Sequence, residues 1–219
     1  MEKVVCLLWA GKGTDRAAFT AALLEGLPAA LRAAGANGIR LNNEDAVSAA
    51  GAQLRQSRGE RQHDAVAQFW LPSANRLLRG AVDTVLDQVC DRWHGWVVAE
   101  STIIANTLHP AQPGQRTDGW AQMAFLTLPD WLTHAEWLDL WQDNHTLVAI
   151  ETQANFEYVQ NLVVRHLTEG APPYVAIVEE CFPPAAMTDS AAMAATTVLP
   201  LPTSPCTSRS IGWPSCMSR

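Results

Sequence analysis

His145 stands four residues after Trp141 and eight after Trp137 in the stretch Ala135-Glu136-Trp137-Leu138-Asp139-Leu140-Trp141-Gln142-Asp143-Asn144-His145. Side chains spaced by four share one stripe of an α-helix, so Trp137, Trp141, His145 and Val148 are expected on a single inward face. An imidazole there, titrating near neutrality, could act as a general base or hydrogen-bond a carbonyl. The same ring could equally be a core histidine whose nitrogens are met by backbone or water. Glu179 and Glu180 are adjacent in the apolar run Tyr174–Phe182. Neighbours on a strand point to opposite faces, so only one of the two carboxylates can face a given pocket. A carboxyl in an apolar cavity has a raised pKa and could shuttle a proton. The plainer reading is one solvated glutamate and one paired with a cation. Nine tryptophans are many for 219 residues, and Trp9, Trp70, Trp137 and Trp141 fall in segments that read as core. They either fill that core or line an aromatic, ligand-binding pocket.

Other chemistries lack their residues. The five cysteines show neither zinc spacing nor the density of a secreted disulfide scaffold, and Cys6, Cys90 and Cys181 sit in apolar segments as small hydrophobes. Asp91, His94 and His109 do not make a metal spacing, so no metal and no cofactor is expected. Gly11-Lys12-Gly13-Thr14 is too short of glycine for a phosphate loop, and no Gly-x-Ser-x-Gly elbow is present. A net charge of −7 without a basic cluster argues against nucleic acid. No apolar run approaches the roughly 20 residues a membrane span needs, and the N-terminus lacks a signal peptide's pattern. The expectation is a cytoplasmic protein whose partner is a hydrophobic small molecule, with homo-oligomerisation left open.

The elements that must position these residues follow from periodicity. Lys3–Trp9 reads as a buried strand stopped by Gly11-Lys12-Gly13. Thr14 or Asp15 caps a helix with Phe19, Leu23, Leu27 and Leu31 on one stripe, and Pro28 is expected to bend or interrupt it. Strands are expected at Ile39–Asn42, Ala65–Leu71 and Trp96–Ile104, with a polar loop over 43–63. A helix opened by Pro72-Ser73 would carry Leu77, Ala81, Val85 and Val89 on one face. Strand-helix-strand twice over is the pattern of a ferredoxin-like unit. After a Pro- and Gly-containing linker over 106–119 the pattern restarts, with strands at Trp120–Leu128, Phe156–Leu167 and Tyr174–Phe182. A shift of 118 positions places Phe19 on Trp137, Leu23 on Trp141, Leu27 on His145, Asn37 on Asn155 and the cap Asp15 on Thr133. Internal duplication follows, with one unit over 1–110 and an incomplete second over 118–190. Two sheets with helices on one face each can bury their bare faces against one another, enclosing a cavity or a fully packed interface.

The stretch from Ala135 to Val148 resembles the signature of the EthD-type family, an aromatic-rich first helix leading to a histidine, a small residue and an apolar pair. Tyr174–Phe182 is similar to that family's acidic third strand, and Ala65–Leu71 is its counterpart in the first unit. The resemblance spans about residues 1 to 190 and implies a fold of class α+β, two ferredoxin-like repeats packed as an internal dimeric α/β barrel. It also implies action on hydrophobic carbonyl- or ether-bearing compounds, by a cofactor-independent enzyme or an accessory protein. His145, assisted by Glu179 or Glu180, would be the polar anchor or base. Thr146 stands where the family usually has proline, and Leu27 replaces the histidine in the first unit. The alternative is a non-catalytic binding or assembly module with a fully packed inter-repeat face. From Ala185 the composition turns to Ala, Thr, Ser, Pro and Met. The irregular tail over 191–219 reads as a shifted frame or a degenerate end in place of a last helix and strand.

Overall fold

A computed structural model describes residues 1–56 and 61–195, and the proline-rich stretch from 196 onward lies outside the described residues. Seven strands form one antiparallel sheet: β1 (Glu2–Trp9), β2 (Asn37–Asn43), β3 (Ala65–Leu71), β4 (Arg92–Ile104), β5 (Trp120–Thr127), β6 (Glu157–His166) and β7 (Tyr174–Phe182). Four α-helices accompany them: α1 (Arg16–Ala33), α2 (Gly80–Val89), α3 (His134–Asp139) and α4 (Thr146–Thr152). A single π turn, Leu140–His145, joins α3 to α4. The protein is therefore α+β, with strand order β2-β3-β1-β4-β6-β7-β5. Among the described helices none is long and apolar enough to cross a membrane.

Local chemistry accounts for most boundaries. Asp15 caps α1 by accepting from the Ala18 N–H at 2.9 Å. Thr133 opens α3 with a reciprocal capping box to Glu136, satisfying two otherwise orphan donors. Helix α1 buries Phe19, Leu23, Leu27 and Leu31 as the fourfold spacing predicts. Pro28 does not interrupt it. The carbonyl that loses its donor belongs to Leu24, on the exposed side of the helix, where water can serve. The second helix begins later than Pro72-Ser73 suggests. Asn75 turns the chain by accepting from the Leu77 N–H at 2.9 Å, which leaves Leu77 and Leu78 exposed. Helix α2 then buries Val82 and Leu86 rather than Leu77 and Ala81.

The sheet is curled into a half-barrel. In a flat sheet the four steps from β2 to β6 would separate them by roughly 19 Å. Instead Arg40 on β2 holds Glu157 on β6 through two hydrogen bonds of 2.7 and 2.8 Å. Curling gives the sheet an inner face, shared by both halves, and an outer face covered by helices. Helices α1 and α2 cover the outer face of β1 and β3, burying Val4, Cys6, Phe69 and Leu71. The α3-π-α4 segment covers β6 and β7, burying Trp137, Trp141, Tyr158, Ala176 and Val178 together. The inner face packs Val5, Leu7, Trp9, Val66, Trp96, Val98 and Ile177. The loop between β2 and β3 reaches across the open side. Asp45 pairs with Arg116 at 3.0 Å, Gln53 donates to the Met187 carbonyl at 3.0 Å, and the His63 ring meets Phe125 at 5.2 Å.

The two halves match in register as well as in order. A shift of 118 carries Glu2–Trp9 onto Trp120–Thr127, the bounds of β5. The pairs Glu2↔Leu71 to Leu8↔Ala65 are repeated as Trp120↔Phe182 to Leu126↔Ala176. Beyond the π turn the shift becomes 119 for β2 onto β6, and across the next connection it becomes 111 for β3 onto β7: Arg40↔Gln68 and Asn42↔Val66 correspond to Val159↔Glu179 and Asn161↔Ile177. The π turn thus absorbs one extra residue without disturbing the strand pairing that follows. Beyond β7 the correspondence lapses. Residues Pro184–Met187 and Ser190–Met193 form short 3-10 turns, and no α-helix or strand follows β7 among the described residues.

Candidate functional site

The residues singled out by sequence divide between the two faces of the sheet. Trp9, Trp70 and Glu179 lie on the inner face. Trp137, Trp141, His145 and Glu180 belong to the outer side of the second half. Adjacent residues of one strand cannot serve one compartment, so Glu179 is separated by the sheet from the helix that carries His145.

On the inner face the charged groups are tied to one another, while Gln68 Oε1, Asn161 Oδ1 and the Trp96 indole N–H are buried without a partner. Glu179, 1% exposed, accepts from Asn42 Nδ2 at 2.6 Å and Gln68 Nε2 at 2.9 Å, and pairs with Arg40 at 3.1 Å. Burial raises the Glu157 carboxyl, but the hydrogen bonds and charge of Arg40 outweigh it and hold the carboxyl below the ordinary value. Cys181 donates weakly to Glu157, and burial pushes its thiol well above the ordinary value, so it is no thiolate. Lys3 pairs with Glu100 at 3.0 Å and sits 5.0 Å from the centre of the Trp70 ring. Gly38, at φ +55°, makes room for that indole, since a Cβ there would lie 2.6 Å from Trp70 Cε3. Trp9 closes the other end with His94 edge-on at 5.4 Å, His63 at 6.2 Å and the Arg92 guanidinium at 4.2 Å. Burial lowers the His63 pKa to about 4, with Arg55 adding to the effect.

The outer side of the second half is different. Gln122 on β5, Glu180 on β7 and Tyr158 on β6 are register neighbours, so their side chains form one row across the sheet. The matching row of the first half is apolar: Val4 and Phe69 are buried there with Ile39 against them. Glu180 occupies the Phe69 place. It is 5% exposed and its Oε1 has no hydrogen-bond partner. Burial raises its pKa, and a hydrogen bond with Asn155 opposes this only in part. The next row is polar too: Gln160 donates to Thr146 Oγ1 at 2.7 Å and to the Tyr158 hydroxyl at 2.8 Å. Two indole N–H donors in this region, those of Trp120 and Trp141, are buried and unpartnered. Trp137 and Trp141 stack at 5.0 Å.

The π turn decides where His145 goes. With one extra residue in the turn, the inward stripe runs Trp137, Trp141, Thr146, Ala149, and Val148 is left 52% exposed. Thr146 Oγ1 donates to the Trp141 carbonyl at 3.2 Å, five residues back. His145 is rotated to a half-buried position at the edge of the stripe, where burial alone lowers its pKa and favours the neutral imidazole. Tyr158, Gln160, Thr146 and Asn155 are the residues of this region that sequence reasoning passed over. The signal was there in polar residues at positions matching apolar ones under the shift, but it needed the extra residue of the π turn to be seen. Among the described residues no group of histidine, cysteine and carboxylate side chains could hold a metal. No protein-family model matches the chain, and no curated protein matches it.

Proposed function

We propose that the chain is an EthD-like tandem of two ferredoxin-like repeats, curled together as an internal α/β barrel, and that its second repeat binds a hydrophobic small molecule. The binding site is the outer side of β5, β7 and β6 beside the α3-π-α4 segment. One observation carries this reading: Glu180, with an unpartnered carboxyl oxygen, replaces the buried phenylalanine that the other half uses at the same place. A polar group buried without a partner opposes folding by about 1–3 kcal/mol, so a fold that could use phenylalanine gains nothing structural from it. The raised pKa keeps a larger share of the carboxyl protonated, as a donor. With the indole N–H groups of Trp141 and Trp120 the site offers donors inside an aromatic wall. Carbonyl and ether oxygens are the acceptors that suit it, and neutral His145 at its edge can accept or relay a proton.

The test is tryptophan fluorescence titration with hydrophobic ketones and aryl ethers. Saturable quenching by the wild type, lost in Glu180→Leu and weakened in His145→Ala with both variants folded, is the expected result. Binding that survives Glu180→Leu unchanged removes the site from this face. The tied inner-face network of Arg40, Glu157, Glu179, Asn42 and Gln68 favours a second reading, a packed assembly module without ligand. Absence of binding by the folded wild type would select it.

A further inference from the structure

Strand β5 has the composition of a central strand and the position of an edge strand. Its counterpart β1 pairs with β3 on one side and with β4 on the other, in the unbroken register Lys3↔Val98 to Trp9↔Arg92. Strand β5 pairs with β7 on the matching side and ends the sheet on the other. Among the described residues no backbone hydrogen bond reaches that outer edge. The consequence is visible in burial: Val4 to Leu8 are buried throughout, whereas Trp120 to Leu126 are all half-exposed.

Exposed edges normally carry protection: a charge, a proline, a bulge or a glycine twist. The opposite edge of this sheet has three of these devices. Strand β2 holds a register shift between Asn37 and Arg40, a glycine at φ +55° and the charged Arg40. Strand β5, Trp-Ala-Gln-Met-Ala-Phe-Leu-Thr, has no charge, proline or glycine, and the one register shift in its pairing falls at its last residues, Leu126/Thr127, where the extra residue belongs to β7. The loop between β2 and β3 lays the His63 ring against Phe125 but gives β5 no backbone hydrogen bond among the described residues.

From this contrast we infer that β5 is a strand-docking edge and that its occupant is the β5 of a second copy, paired antiparallel about a two-fold axis. The required partner is an extended, uncharged segment of about eight residues, predominantly apolar. An identical β5 meets every one of these conditions, and antiparallel pairing makes a strand complementary to itself. Ala121, Met123 and Phe125 would then continue the inner face from one copy into the next, while the many carboxylates of a chain with net charge −7 stay outside the contact.

Sedimentation of the full chain at rising concentration, with hydrogen–deuterium exchange of the 120–127 peptide in the same samples, tests this. The expected result is a species of twice the 23.8 kDa chain mass, with β5 amides becoming protected as it forms. Ala121→Lys, an edge lysine of the protective kind, should shift the population to monomer and release those amides. A chain that stays monomeric at every concentration overturns the inference. So does β5 protection that is the same in the dilute monomer, because it would mean that the edge is covered from within the same chain. A dimer that persists undiminished in folded Ala121→Lys overturns it as well. Should that variant fail to fold, the exchange measurement on the wild type decides alone.

Discussion

Replacing Glu180 with leucine should make the protein more stable, and increasingly so as pH rises. The carboxyl is 5% exposed and one oxygen has no partner, so the wild type carries an unmet desolvation cost of about 1–3 kcal/mol that an apolar side chain removes. Titration adds a second component. The unfolded glutamate releases its proton near the ordinary value of 4.5, whereas the folded one holds it to higher pH. Between these two values the folded state binds more protons than the unfolded state, so wild-type stability falls as pH rises, by at most about 1.4 kcal/mol per unit. Leucine does not titrate. The advantage of Glu180→Leu should therefore be smallest near pH 4, grow through the window above 4.5, and level off once the folded carboxyl has also ionised. Urea melts of both proteins at a series of pH values, followed by far-UV circular dichroism, give the difference directly. A leucine variant less stable than the wild type at all pH values, or a difference that does not change with pH, would refute the reasoning and mean that the carboxyl is satisfied.

Three further outcomes are expected. His63 titrates in the opposite sense: its folded pKa of about 4 lies below the ordinary 6.5, so its contribution is intact above pH 6.5 and is lost as pH falls toward 4. The total is on the order of 3 kcal/mol and should be absent from His63→Phe in acid melts. Arg40→Ala strands Glu157 and Glu179 on the inner face and should cost about 3–5 kcal/mol, read as a lower urea midpoint at neutral pH. Deleting Asn144 turns the π turn into an ordinary α-helix turn and gives β1 onto β5 and β2 onto β6 the same shift of 118. Cooperative unfolding should persist with stability within about 1 kcal/mol of wild type, and loss of cooperativity would show that the extra residue is needed for folding.

Elements built from local signals were legible in the sequence. The apolar run Tyr174–Phe182 is β7 to the residue, and the caps Asp15 and Thr133 work as their side chains predict. What the sequence concealed involves either one residue too many or partners far apart along the chain. The fourfold stripe through His145 presumes 3.6 residues per turn, and a π turn cannot be read from periodicity, so Thr146 took the inward place. The late start of α2 depends on Asn75 turning the backbone before the helix could form. Arg40 and Glu157 are 117 residues apart, and only the curl of the sheet brings them into contact. That Glu179 and Glu180 face opposite ways followed from strand alternation alone, but which compartment each would enter did not.

The seam between β4 and β6 carries a consequence for how the chain can be cut. The halves are joined by main-chain hydrogen bonds from Trp96↔His166 to Ile104↔Tyr158, and by Arg40 reaching Glu157. The covalent connection, residues 105–119, forms no strand or helix and lies wholly between β4 and β5. Its peptide bonds hold the halves at high effective concentration but contribute no rung to the sheet. Two polypeptides divided there carry complementary surfaces already in register, so the molecule is laid out as a heterodimer that happens to be encoded as one chain.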